Sequence, residues 1–291
     1  MAILGDTMTL TILLTKHHGL GNDFLVCLDG DTVERHGADL ARRLCHRHLG
    51  VGADGLLLAL SPRAGEAGTI DARMRLHNAD GSTAEMSGNG IRCFAQALVD
   101  GAVVAPGTVR IGTDAGLRVV QVEATDAATG ITNVTVDMGA ARLDTLPVHG
   151  GSGITVDLGN PHLVIAVDSL DDIDITQLGP RREQPYLAGP TRGINVEVIR
   201  AVDEATIDMV VWERGVGATQ ACGTGATASA VAAHRLGLVG GRVTVRQPGG
   251  DAVVEILADR VMLTGPSQRI ASITVCVELD LGAASTGEVA A

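Results

Sequence analysis

The chain of 291 residues is 45% apolar and carries a net charge of −12, which is enough material to fill one large core or two ordinary ones. With Trp 1, Tyr 1 and Phe 2 against 38 glycines, the core must be packed from Val, Leu, Ile and Ala around many tight turns, and base-stacking platforms are excluded. No run of Lys or Arg offsets the acidic balance, so neither a nucleic acid nor an anionic membrane is expected as partner, and any bound anion must be held locally.

In chain order, MAILGDTMTLTILL has neither a basic leader region nor a cleavage pattern, and no segment reaches the roughly 18 apolar residues of a membrane span. That predicts a cytoplasmic protein. The Arg-rich segment holding His36, His46 and His48 reads as helical, with the histidines on the surface and without a role. Ser87-Gly88-Asn89-Gly90 opens a helix whose apolar stripe is Ile91, Phe94, Ala95 and Leu98, with Gly101 as its stop. Strands are predicted at Thr108 to Ile111, Leu117 to Glu123, Asn133 to Asp137, Leu163 to Val167, Asn195 to Arg200, Thr206 to Trp212, Arg242 to Arg246, Ala252 to Leu257 and Ser272 to Leu279. A second helix, GATASAVAAHRLG, follows Cys222 and is small-sided all round. Turn composition predicts mixed or largely antiparallel sheet, unlike a TIM barrel or a Rossmann alternation. Five scattered cysteines (Cys27, Cys45, Cys93, Cys222, Cys276) suggest neither disulfides nor a zinc site; Cys27, Cys93 and Cys276 read as small core residues.

Two pairs of motifs recur at nearly equal offsets and in the same order: Gly21-Asn22-Asp23-Phe24-Leu25-Val26 with Gly159-Asn160-Pro161-His162-Leu163-Val164, and Ser87-Gly88-Asn89-Gly90 with Cys222-Gly223-Thr224-Gly225. The chain therefore reads as two related halves. Two such loops face to face would bring two helix N-termini onto one small carboxylate. Cys222 heads one loop, where the helix dipole is expected to lower its pKa and make it the most reactive thiol; Ser87 heads the other. Acid/base groups on opposite faces of one carbon are what inversion of a stereocentre requires, and this scheme needs neither metal nor pyridoxal cofactor.

The motifs HGLGNDF (His18 to Phe24), GVGADG (Gly50 to Gly55), NADGSTAEMSGNGIRC (Asn78 to Cys93), GNPH (Gly159 to His162), GINVE (Gly193 to Glu197), WERGVGATQACGTGA (Trp212 to Ala226) and GPS (Gly265 to Ser267) resemble the diaminopimelate epimerases, within the pyridoxal-independent amino-acid racemase group, over essentially the whole chain. The resemblance implies an α/β (α+β) fold of two pseudo-symmetric domains, each a curved mixed or antiparallel sheet around a central helix. Residues 1–129 plus 268–291 would form the N-terminal half and 130–267 the C-terminal half. It implies cofactor-independent conversion of LL-2,6-diaminopimelate to the meso isomer on the lysine pathway, commonly by homodimers using two cysteines. Position by position, Cys222 would be one catalytic cysteine, with His162 and Glu213 orienting and tuning the pair. The amides of Gly88, Asn89, Gly223 and Thr224 would hold the reacting carboxylate, Asn22 and Glu213 the amine, and Asn78, Asn160, Asn195 and Arg214 the distal amino-acid end.

Ser87 departs from the family's second cysteine. A hydroxyl is a far weaker acid than a thiol, and no base lies near it in sequence. Three readings follow: a Cys→Ser variant of an epimerase, whose epimerisation is impaired; a one-base dehydratase or lyase of the same fold; or a degenerate ligand-binding protein. Gly223 to Ala228 also meets the Gly-x-Gly-x-x-Ala dinucleotide pattern, a weak signal without a strand leading into it.

Overall fold

The computed structural model describes residues 7–280 apart from 145, 150 and 190. The first six residues of MAILGDTMTLTILL and both ends of the expected N-terminal half therefore lie outside the described residues. Among those described, the fold is mixed α/β and mostly strand, with four α-helices: α1 (Gly37–Leu44), α2 (Gly88–Asp100), α3 (Ile175–Glu183) and α4 (Gly223–Arg235). None of them is long and apolar enough to cross a membrane.

The strand pairing repeats along the chain. Asn22–Cys27 runs antiparallel to Thr7–Gly19 and parallel to Gly55–Leu60, which is antiparallel to Ala72–Asn78. Ala72–Asn78 is then parallel to Gly107–Thr113, which is antiparallel to Gly116–Val122. The same series recurs from Ile154–Asp157 through Pro161–Ala166, Asn195–Asp203, Thr206–Glu213, Arg242–Gln247 and Gly250–Ile256. Each parallel pair is bridged by a helix: α1 and α2 in the first series, α3 and α4 in the second. Parallel neighbours cannot be joined by a tight turn, so the crossovers are obligatory. Val261–Asp280 pairs with Thr7–Gly19, Ile131–Asp137 and Gly250–Ile256 and ties the two series together.

The predicted stripe of α2 is buried, with Ile91, Phe94, Ala95 and Leu98 all at 0% exposure, but so are Arg92 and Gln96. The opposite face of α2 meets sheet rather than solvent, and α4 is likewise buried along its alanines. His46 and His48 lie beyond the end of α1 and are exposed, while His36 is half-buried. Cys276 corrects the expectation of a core residue: strand alternation turns Val277 into the core and Cys276 out, beside Thr274 and Glu278.

The polar residues of α2 are satisfied by a buried chain. Gln96 donates Nε2 to the Gly130 carbonyl at 2.8 Å, and its Oε1 accepts from Ser267 Oγ at 2.7 Å and from His17 Nδ1 at 3.1 Å. Since that oxygen can only accept, His17 carries its proton on Nδ1, and Nε2 accepts from Thr15 Oγ1 at 2.9 Å. Burial lowers the His17 pKa from 6.5 to about 4. Unfolding therefore takes up a proton between those values: stability is full above pH 6.5 and is lost on acidification towards pH 4, by about 3 kcal/mol. In urea titrations across this window, His17→Gln should show a shallower decline than the parent chain; identical slopes would remove His17 as the source.

Candidate active site

Ser87 and Cys222 hold the same local conformation. Ser87 (φ −137°, ψ 127°) caps α2 by accepting from Gly90 N, and Cys222 (φ −128°, ψ 118°) caps α4 by accepting from Gly225 N. The distances are 3.0 Å to Ser87 Oγ and 3.3 Å to Cys222 Sγ. With the third helical amide taken by the cap and the fourth by the cap's carbonyl, those of Gly88 and Asn89, and of Gly223 and Thr224, are left as the orphan donors of each helix.

The two helices meet head to head. A Cβ placed on Gly88 would lie 3.0 Å from Gly223 Cα, and one on Gly223 would lie 3.0 Å from Gly88 Cα. Only glycine permits this approach of backbone to backbone. Four amides without a partner among the described residues and two positive dipole ends are thereby concentrated at one point, a ready site for a carboxylate.

The surroundings of the two caps differ sharply. Thr224 Oγ1 contacts Cys222 Sγ at 3.4 Å and accepts from Asn160 Nδ2 at 3.3 Å. Asn160 Oδ1 faces His162 Nε2 at 3.2 Å, and His162 Nδ1 donates to Glu197 Oε1 at 2.7 Å, both residues being fully buried. Gly225 gives Glu197 its room, since a Cβ there would lie 2.7 Å from the carboxylate. Glu213 also faces Cys222 and accepts from Thr219 Oγ1 at 2.5 Å. Burial, then the neighbouring carboxylates of Glu213 and Glu197, push the Cys222 thiol well above its ordinary value, outweighing the Thr224 and Gly225 hydrogen bonds. The expected helix-lowered thiolate is thus corrected: the dipole is present, but desolvation and two like charges win. Burial likewise raises the Glu213 carboxyl.

Around Ser87 the register puts other residue types. Phe24 pairs with Gly55 as His162 pairs with Asn195, so Phe24 stands where the other half has His162. Gly90 looks onto Phe24 Cζ, 3.4 Å from where its Cβ would be, in the place where Gly225 looks onto Glu197. Ser87 is half-buried.

The remaining expected residues are held by short networks. Gly21 (φ 86°) and Gly159 (φ 99°) take the left-handed turns that precede Asn22 and Asn160. Asn22 donates Nδ2 to Asp54 Oδ2 at 2.7 Å and accepts at Oδ1 from Asn89 Nδ2 at 3.3 Å. Asn195 Oδ1 accepts from the Arg214 amide at 2.9 Å, while the Arg214 guanidinium donates to the Thr191 carbonyl at 2.6 Å. Asn78 is drawn into its own turn, donating to Ser82 Oγ at 3.0 Å. Asp54, Gln247 and Glu197 escape the sequence reading, although a glutamate inside the apolar strand run of GINVE signals a buried charge with a task. Gln247 accepts from the Cys222 amide at 2.8 Å.

The diaminopimelate epimerase family model matches residues 14–143 and 154–270. The chain belongs to the diaminopimelate epimerase family. It is 40% identical over 273 residues to the diaminopimelate epimerase of Methanothermobacter thermautotrophicus, covering 85% of this chain and 91% of that one. With that of Corynebacterium glutamicum strain R it shares 39% over 276 residues, covering 91% and 98%. Among solved structures, a hydroxyproline epimerase from Agrobacterium vitis with bound trans-4-hydroxy-L-proline superposes with a TM-score of 0.69 at 17% identity, over 91% of each chain. A Bacillus anthracis phenazine biosynthesis protein of the PhzF family gives 0.73 at 15%, over 92% of this chain and all of that one. The chain is an amino-acid epimerase of this fold.

With Cys222 buried and protonated, alkylation near neutral pH should label the exposed Cys276 first, as read by mass mapping. Replacing Glu197 with Gln removes one like charge and should move Cys222 labelling to lower pH. Labelling of Cys222 ahead of Cys276 would contradict this electrostatic account.

Proposed function

We propose that the chain binds diaminopimelate between the N-termini of α2 and α4, with the α-carbon between Cys222 and Ser87. The observation that carries this is the head-to-head contact of Gly88 and Gly223, which brings the N-terminal amides of both helices to one point. In this reading the chain is built of two pseudo-symmetric halves, 1–129 with 268–291 and 130–267, each wrapping a curved sheet around its central helix. The repeated order of strand pairing supports it. The protein acts as a homodimer, for which Leu13 (72% exposed) and Ile270 (52% exposed) on the paired outer strands offer apolar area.

The carboxylate is held by the amides of Gly88, Asn89, Gly223 and Thr224, and these same donors stabilise the enolate character that grows as the α-proton leaves. Asn22 presents Oδ1 to the amine because its Nδ2 is committed to Asp54; Glu213 supplies the opposing charge. Asn78, Asn160, Asn195 and Arg214 read the distal amino-acid end. On the Cys222 face the protonated thiol is the acid, and Glu213, itself raised by burial, relays the proton when Cys222 must act as base, with His162 orienting the pair. On the other face a serine hydroxyl beside Phe24 has no comparable acidity, so conversion of the LL to the meso isomer is slowed at this step.

The test incubates each isomer in heavy water with the present chain and with Ser87→Cys, following α-deuterium and stereoisomer composition separately. The present chain should exchange only the isomer whose hydrogen faces Cys222, and Ser87→Cys should raise interconversion by about 100-fold or more, the usual contribution of a positioned acid/base. Equal rates would remove the two-thiol mechanism. An inert Ser87→Cys enzyme would remove diaminopimelate as substrate, and elimination products in place of the epimer would favour a one-base lyase.

A further inference from the structure

Arg92 is fully buried in the second turn of α2, and among the described residues it has no carboxylate within ion-pair distance. Its guanidinium donates Nη1 to the Gly88 carbonyl at 3.0 Å, Nη2 to Asn89 Oδ1 at 2.7 Å and Nε to the Pro266 carbonyl at 3.3 Å. Gly19 and Gly265 make room for it, since added Cβ atoms would lie 3.1 and 3.2 Å from guanidinium atoms. Burial lowers its pKa to about 10, so it keeps its charge at neutral pH. A lone buried cation is costly, and nothing in the proton-transfer scheme uses it.

The Gly88–Asn89 peptide links Arg92 to the site. In a trans peptide the carbonyl and the N–H point in opposite directions, so a donor on Gly88 O fixes the Asn89 N–H facing away from it. The Asn89 side chain, its Oδ1 taken by Arg92, turns Nδ2 to Asn22 Oδ1 at 3.3 Å and to the Ala221 carbonyl at 3.0 Å. One guanidinium thus ties the backbone of the Ser87 loop to Asn22 and to the residue before Cys222. The other half repeats the device with a neutral group: Thr227 donates Oγ1 to the Gly223 carbonyl at 2.9 Å.

We propose that Arg92 is a positioning residue for the carboxylate cradle: it locks the Gly88–Asn89 peptide and the Asn89 amide, and its charge is answered by the substrate carboxylate on the far side of that peptide. The inference rests on reading the two helix N-termini as the carboxylate site. It makes the cradle unequal, charged behind Asn89 and neutral behind Thr224.

The experiment compares the parent chain, Arg92→Met, Arg92→Lys and Thr227→Val by backbone amide resonances without ligand, by calorimetric binding of diaminopimelate and by thermal unfolding. In Arg92→Met the Asn89 amide should shift and affinity should fall by about tenfold or more, the range of charge-assisted hydrogen bonds. Arg92→Lys, which keeps the charge, should recover part of both, and Thr227→Val should shift the Thr224 amide with a loss of only about fivefold. If Arg92→Met does not fold, the lysine and valine variants still carry the comparison. An unmoved Asn89 amide, or a folded Arg92→Met that binds like the parent, overturns the proposal, as does an Arg92→Lys chain no better than Arg92→Met. Failure of the parent chain to bind diaminopimelate would sink the functional reading instead, leaving Arg92 to be judged by the Asn89 resonance alone.

Discussion

Everything at this site depends on two helices pointing their N-termini at each other across a pair of glycines. The arrangement is unfavourable in isolation: each end carries roughly half a positive charge and unpaired amides, and both are largely removed from water. It persists because the same sheet system holds both helices from outside, α2 bridging Ala72–Asn78 to Gly107–Thr113 and α4 bridging Thr206–Glu213 to Arg242–Gln247. In the proposed reading, a carboxylate between them would supply the missing acceptors and the missing charge together. Binding and catalysis would then draw on one feature, since amides that donate to a carboxylate hold it more tightly as it gains negative charge.

The near-symmetry of the backbone is broken by chemistry. On the Cys222 side two carboxylates and an imidazole crowd the cap; on the Ser87 side there are Phe24 and, behind the backbone, the guanidinium of Arg92. The first environment holds a proton on its cap, as the raised Cys222 pKa records, and the second favours anions. The two caps, alike in backbone conformation, thus differ in the groups that surround them.

Buried polar residues do much of the holding. Gln96 at the middle of α2, with His17, Thr15 and Ser267, fastens that helix to the outer strands, and Arg92 fastens its first turn to Pro266 and Asn89. Such networks are costly when half-satisfied and rigid when complete. Rigidity is what a site needs if a carboxylate is to sit on amides from two separate helices.

The sequence by itself determined the elements that obey local rules: α2, from its stripe of Ile91, Phe94, Ala95 and Leu98 and its Gly101 stop; most strands, from alternation; and the pairing of Ser87 with Cys222, from motif order. The seven motifs also carried the family. What only the tertiary structure decided concerns burial and contact between distant segments. The raised Cys222 pKa depends on burial and on Glu213 and Glu197, residues that strand pairing brings to the cap from outside its own helix, and these outweigh the helix dipole that would lower it. Arg92 is buried because sheet covers both faces of α2, and Cys276, expected in the core, is turned to solvent by the outer strand. Periodicity is set by neighbours a few residues apart, whereas desolvation and charge coupling are set by whichever chain segments fold alongside.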